Sequence, residues 1–198
     1  MMIATAASAS LRADVFTFRY NVIACEQGVL ADPAINHLNR TVVDPADATG
    51  IVLGAWADGV LTGTVRLNLL RDGPASPYSE LLRLTTLHED ERRLLSVTSR
   101  LMVGIRWRGT ALGIRLGQAA VRHYVASGLA WDYIVVRPEM EPFYTRLGYR
   151  RAARSVNFQG VGCLTPLRLN LDPMYLKSTR SAFSRIRSDD VGVLSGCM

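Results

Sequence analysis

The sequence predicts an α/β fold of the α+β kind, and three observations predict it. A helical stripe opens the chain, a strong hairpin signal follows, and from residue 95 onward strand-patterned and helix-patterned stretches alternate. The 198 residues suit one domain with some terminal extension and can bury a substantial core.

Residues 1–10 are small and mildly apolar, without the basic flank or sustained apolar stretch of a secretory signal, and are expected to fray. From Ser10 to Glu26, Val15, Phe18, Val22 and Cys25 recur three and four apart, which predicts a helix that Gly28 ends. On its apolar face Cys25 is expected to pack as a small hydrophobe. A polar stretch holding Pro33 and Pro45 leads to Gly50, and two strands then follow, joined at Asp58-Gly59. Residues 71–93 begin irregularly (Gly73, Pro74, Pro77) and turn helical after Pro77. "LLSVTSRLMVGI" reads as a central strand and "RWRGTALG" as the junction to a long helix ending at Gly128, with a wet stripe of Arg115, Gln118 and Arg122. "DYIVV" is a buried strand, a short helix runs from Pro142 to Gly148, and strands near 150–158 and 163–171 complete the sheet. After Pro173 the chain turns basic and serine-rich, which predicts an appended, mobile tail.

Composition narrows the classes. Hydrophobic residues make up 48% and charged ones 20%, as in an ordinary globular protein, and no apolar run is long enough to span a bilayer. The cytoplasm is the expected compartment. Cys25, Cys163 and Cys197 sit at no metal-ligand spacing, and none pairs with His37, His88 or His123, so no metal is expected. The net charge of +6 and pI near 9.6 suit any anionic partner: a nucleotide-bearing cofactor, an acidic carrier protein, or RNA. Apart from a denser group at Lys177–Arg187 the basic residues are scattered and no nucleic-acid motif accompanies them, so nucleic acid is not the expected partner.

The strand–"RWRGTALG"–helix junction carries the first chemical signal. A helix N-terminus offers unpaired amides and a positive dipole end, which together bind phosphate. Gly109 removes a side chain where a pyrophosphate would approach the backbone, Ala111 is nearly as small, and Arg106 and Arg108 add charge. The alternative is a loop that simply needs glycine, with arginines facing solvent; short glycine motifs do not separate the two.

With "R-x-x-G-x-A" at Arg106, Gly109 and Ala111 followed in order by "PFYTRLGY" from Pro142, the chain resembles the GNAT superfamily of N-acyltransferases. The resemblance implies a GNAT-like mixed, mostly antiparallel central sheet with splayed central strands, flanked by helices. The pantetheine arm of acyl-CoA or of acyl carrier protein would lie in the splay. It would pair with the backbone at Leu101, Met102 and Val103, its pyrophosphate resting on Arg106, Arg108, Gly109, Thr110, Ala111, Leu112 and Gly113. Tyr144 matches the tyrosine that protonates the departing thiolate in many relatives, and a phenol of pKa near ~10 can donate to a thiolate of pKa near ~8.5. The opposite reading is a tyrosine that only packs against the cosubstrate. The attacking amine must be neutral, so a base is needed; Glu26, Asp44, Asp47 and Glu139 are candidates that the sequence does not rank.

The N-terminal half resembles two branches of that superfamily, the N-acyl-amino-acid synthases and the acyl-homoserine-lactone (autoinducer) synthases, through "VFTFRYNVIACEQG", "VVDPAD", "GVLTGTVRLNLL" and "VTSRLMV". The resemblance covers roughly residues 12–171. It implies an acceptor site at Arg19, Arg66, Arg100 and Asp47, with Asp44 beside it. Val42 and Val97 stand where the autoinducer pattern has acids, which argues against recognition of S-adenosylmethionine. Arg66 and Arg100 are either surface or sheet-edge cations or, among apolar strand neighbours, need a path to water or a buried anion, for which a substrate carboxylate, Asp44 or Asp47 would serve. Leu101, Met102, Val103, Ile134 and Val136 could line an acyl channel or simply fill a core.

The expected organisation is an acyltransferase domain at 1–172 and a basic tail at 173–198, whose Lys177, Arg180, Arg185 and Arg187 could steer an acidic carrier protein. The expected reaction moves an acyl group, a fatty one, from an acyl-CoA or carrier-protein thioester to the amine of an amino acid, related small molecule or peptide. The alternatives are a short-chain acetyltransferase and a non-catalytic binding module.

Overall fold

The computed structural model describes residues 1–73, 75, 78–158 and 162–186. Strand β1 (Met2–Thr5) precedes helix α1 (Ala9–Tyr20), and β2 (Ile35–Asn36) and β3 (Thr41–Val42) form a small hairpin. Strands β4 (Ile51–Ala57) and β5 (Val60–Leu69), short helices α2 (Tyr78–Leu81) and α3 (Glu89–Arg92), and β6 (Leu95–Val103) follow. Helix α4 (Leu112–Ala126) leads to β7 (Trp131–Val136), α5 (Glu141–Arg146), β8 (Arg150–Arg151), β9 (Val156–Phe158), β10 (Gly162–Asn170) and α6 (Pro173–Ser178). The main sheet runs β1-β4-β5-β6-β7-β10-β8 with β9 also on β10, and β6 and β7 form its parallel pair in an otherwise antiparallel array.

The hairpin turn has Asp58 and Gly59 at φ +50° and +78°, the two left-handed residues whose twist matches the flanking strands. The pleat then sorts β4: Val52 packs with Val15 of α1, whereas Leu53 and Ala55 join Leu116 and Ala120 of α4 in the main core. Successive strand residues point to opposite faces, so α1 and α4 cover opposite sides of the sheet. A third cluster gathers Leu70, Leu84, Leu95 and Val97 at the start of β6.

Four expectations are corrected. Met2–Thr5 does not fray but pairs with β4 as an edge strand, because its backbone finds an open ladder there. Cys25 is exposed: from Asn21 to Glu26 the first helix widens to π-turns, with the Gln27 amide bonded to the Val22 carbonyl at 3.1 Å, and the wider turn rotates Cys25 off the apolar stripe. Gln118 donates to the Ala182 carbonyl at 2.9 Å rather than facing water. That carbonyl belongs to the stretch expected as a tail; up to residue 186 it is packed, with Leu176 and Phe183 buried in the main core. Arg187 and Cys197 lie outside the described residues.

Candidate active site

Strands β6 and β7 pair at Leu95–Trp131, Ser96–Asp132 and Val97–Tyr133 and then part. Beyond that point β6 stays paired to β5, and β7 to β10, so a gap opens in the middle of the sheet. Leu101, Met102 and Val103 lie along it, partly buried, and Ile134 and Val136 line the opposite strand within the main core. A bulge sits at the gap's centre: Val65 opposes both Arg100 and Leu101, between the Thr64–Met102 and Arg66–Ser99 pairs, with Arg100 at φ +52°. Such a bulge re-aims a side chain beside a site; here it turns Arg100 towards Asp44 and Asp32.

The junction lies at the gap's mouth, after the end of β6. Gly109 adopts φ +80° with nothing within 4 Å of where a Cβ would stand. The glycine is thus required by conformation, and the space beside it is free for a ligand. Thr110 Oγ1 caps the Leu112 amide at 3.2 Å, while the amides of Gly113 and Ile114 take no acceptor among the described residues. Arg106, Ala111 and Arg108 are exposed. Arg108 is already engaged, bonding the Val103 carbonyl at 3.0 Å and ion-pairing with Glu26. Glu26, a candidate base, therefore anchors the loop that Phe18 of α1 also covers at Gly104. Glu139 lies in a short 3₁₀ turn before α5.

Tyr144 of α5 is half-buried, its ring edge-on to Phe143 and to Tyr149 with centroids 5.1 and 5.6 Å apart. Burial first, and then the nearby charge of Asp132, push its phenol up to about 12, so it stays protonated. In the sequence Asp132 is only the start of a buried strand. It is fully buried and accepts hydrogen bonds from Ser96 (2.9 Å), Thr98 (2.8 Å) and Tyr149 (2.5 Å), with Tyr124 bonded to Thr98 at 2.6 Å. Burial outweighs those bonds and raises its carboxyl to about 7. The one sequence signal was an aspartate opening an apolar strand.

The arginines and aspartates proposed for the acceptor converge beside the bulge. Arg19 and Arg66 are fully buried. Asp47 Oδ1 lies 2.8 Å from Arg19 and 3.2 Å from Arg66, while Asp44 pairs with Arg66 and, at 2.9 Å, with Arg100. Arg100 reaches Asp32 at 3.2 Å, and Arg12 donates to the Asp47 carbonyl. The sequence explains the placement. Asp44-Pro45-Ala46-Asp47 forms a reciprocal capping box on one 3₁₀ turn, which presents both carboxylates together. Burial would raise the Asp47 carboxyl, but Arg19 and Arg66 outweigh it and hold the group below its ordinary value. Asp44, held by two arginines, has the geometry of a scaffold rather than of a free base. Arg19 Nε and Nη2 and Arg66 Nη2 are buried without a hydrogen-bond partner among the described residues. Among the described residues no cluster of potential metal ligands occurs, and no helix is long and apolar enough to cross a membrane.

Comparison with known proteins bears on the family and the fold. The family described as N-acyl amino acid synthase FeeM matches residues 14–170. No curated protein sequence matches significantly. Among solved structures, TofI in a ternary complex with an inhibitor and MTA superposes with a TM-score of 0.68 at 20% identity, covering 93% of this chain and 99% of that one. The CoA-dependent acyl-homoserine lactone synthase BjaI, with SAM and isopentyl-CoA, gives 0.71 at 16% identity, over 90% and 86% of the two chains. FeeM from uncultured soil microbes, an N-acyl amino acid synthase, gives 0.68 at 15% identity, over 94% and 97%.

Proposed function

The chain belongs to the N-acyl amino acid synthase FeeM family and is an N-acyltransferase, and from that premise we propose that it joins a fatty-acyl group to the amine of an amino acid or close analogue. The donor is a pantetheine thioester, of CoA or of an acidic acyl carrier protein. The β6–β7 gap receives the arm, and the open space at Gly109 with the free first-turn amides receives its phosphate.

One observation carries the acceptor assignment: the arginine cluster at the bulge keeps unfilled donors on Arg19 and Arg66 even after Asp44 and Asp47 are counted. Buried donors without acceptors cost free energy, and an acceptor carboxylate is a group that would relieve it. Val42 and Val97 are both fully buried apolar residues, so no acid stands at either position for a sulfonium, which supports an amino acid over S-adenosylmethionine. Tyr144 fits the acid that protonates the leaving thiolate, since it holds its proton at neutral pH.

The test is thermal unfolding with acetyl-CoA and palmitoyl-CoA, followed by mass spectrometry of incubations with amino acids. A ligand at ~100 times its dissociation constant adds about 2.7 kcal/mol. Stabilisation mainly by the long chain, an N-acyl amino acid product, and a loss of roughly 10²-fold in turnover for Tyr144→Phe with stabilisation retained are expected. Stabilisation by acetyl-CoA alone would assign short-chain acetyl transfer instead, and no stabilisation by either would leave a strict carrier-protein donor or a binding module.

A further inference from the structure

Asp132 is a fully buried carboxyl that neither the donor site nor the acceptor site uses. Burying a carboxyl in a sheet is costly unless a cation or a full set of donors compensates it. Asp132 has the donors and, among the described residues, no ion-pair partner. Its place is equally particular. The pair Ser96–Asp132 is the second of three that join β6 to β7, and Thr98 is the first β6 residue beyond the last of them. The carboxyl therefore sits at the closed end of the gap, and Thr98 stands where the gap begins.

Thr98 links the two. A hydroxyl has one hydrogen to give and two lone pairs to accept with. The Thr98 hydrogen goes to Asp132 Oδ2, so the Tyr124 hydroxyl 2.6 Å away must donate to Thr98, which leaves one lone pair on Thr98 Oγ1 unused. Ser96, Tyr124, Asp132 and Tyr149 are all sealed, Ser96 and Asp132 at 0% exposure, whereas Thr98 is 8% exposed. Thr98, the most exposed of the five and the first β6 residue past the last β6–β7 pair, is where the network comes nearest the gap.

We propose that Asp132, acting through the Thr98 hydroxyl, takes the proton that the acceptor amine sheds as it attacks the thioester carbonyl. The proposal rests on the reading that the gap holds that thioester. In the step the amine nitrogen bonds to the carbonyl carbon and the carbon–sulfur bond breaks. The nitrogen's proton passes to Thr98 Oγ1 while the Thr98 proton passes to Asp132 Oδ2. The sulfur leaves with the Tyr144 phenolic proton. Amide and thiol are the products, and the proton gained at Asp132 and the one lost at Tyr144 re-equilibrate through solvent. Thr98 is the group that touches substrate; Asp132 is a positioning and proton-holding residue behind it. The groups facing Asp132 are Ser96 and Thr98 from β6, Tyr124 from α4, and Tyr149 with Tyr144 behind it from the α5 turn, while Leu169 opposes it on β10. None is cationic, and a base raised to about 7 is poised for work near neutral pH.

The experiment compares the pH dependence of kcat and kcat/KM for the wild type, Asp132→Asn, Thr98→Val and Thr98→Ser, with donor-induced stabilisation measured on each. The wild type should lose activity on the acid side with an apparent pKa of about 7. Asp132→Asn and Thr98→Val should turn over about 10²-fold more slowly, without that limb and with donor binding intact, and Thr98→Ser should restore both rate and limb. An acid limb that persists in Thr98→Val, or equal rates for Thr98→Val and Thr98→Ser, would overturn the relay. If Asp132→Asn does not fold, the two Thr98 variants still decide, since Thr98→Val removes the hydroxyl at nearly constant shape and Thr98→Ser keeps it. A wild type that neither binds donor nor acylates an amine would overturn the reading beneath, and the relay with it; a wild type that does both, with unaffected variants, removes the relay alone.

Discussion

Asp47 concentrates several roles in one side chain. Its Oδ1 faces Arg19 and Arg66, its Oδ2 accepts the Asp44 amide at 3.0 Å, and its carbonyl takes Arg12. Removing one partner of a buried ion pair strands the other, at a cost of about 3–5 kcal/mol. Asp47→Asn should therefore unfold several degrees below the wild type, and the pH dependence gives a second reading of the same contact. The folded carboxyl titrates below its unfolded value, so its contribution is present above about pH 4 and is lost as pH falls through the folded pKa. The gap in Tm between the two proteins should narrow on acidification below about pH 4, and a gap independent of pH would remove the charge interaction as its cause.

At the scale of elements, the gap depends on how closely α4 approaches the sheet. Gly63 of β5 makes that approach: a Cβ there would stand 2.9 Å from Leu116 Cδ1 and 3.0 Å from the Met102 carbonyl. Both neighbours matter, since Leu116 anchors α4 in the main core and Met102 lines the gap. Gly63→Ala should cost about 1–3 kcal/mol by overpacking and lower Tm by roughly 2–10 °C. It should also weaken donor binding, because the displaced carbonyl belongs to the strand that would hold the pantetheine arm. A variant that is destabilised yet binds donor normally would show that β6 absorbs the strain elsewhere. The same element logic accounts for Arg100, whose left-handed backbone is sustained by the bulge and by Asp32 and Asp44 holding its side chain.

Over the whole molecule the net charge is +6, and part of that basic surface follows β10. Lys177, Arg180 and Arg185 lie on and after α6, on a segment that Leu176 and Phe183 fix to the core. Charges held on a packed segment can steer an acidic partner, and steering of this kind is screened within about 8–10 Å at physiological salt. With an acyl carrier protein as donor, the apparent KM should rise several-fold between low and high salt, while KM for the matching acyl-CoA should change far less. Equal salt dependence for both donors would remove carrier docking at this surface.

What the sequence determined by itself was what depends on local pattern and short spacing. The hairpin at Asp58-Gly59, the strands and α4 follow from periodicity and turn chemistry, and the Arg106–Gly109–Ala111 junction from the needs of a helix start. The family resemblance pointed to Arg19, Arg66, Arg100, Asp44 and Asp47: the capping box presents the two aspartates together and the bulge turns Arg100, while the packing of α1, β5 and β6 brings the three arginines to them. Tertiary structure alone decided the rest. It paired Met2–Thr5 with a distant strand, buried Leu176 and Phe183, and turned Cys25 outward by a change of helical pitch. It also built the Asp132 network from β6, β7, α4 and the turn after α5. Asp132 and Tyr149 are 17 residues apart and Asp132 and Ser96 are 36 apart, and no periodicity relates them. Their meeting is set by which strands the sheet places side by side, and the proton chemistry of a buried carboxyl exists only once that placement has removed the water.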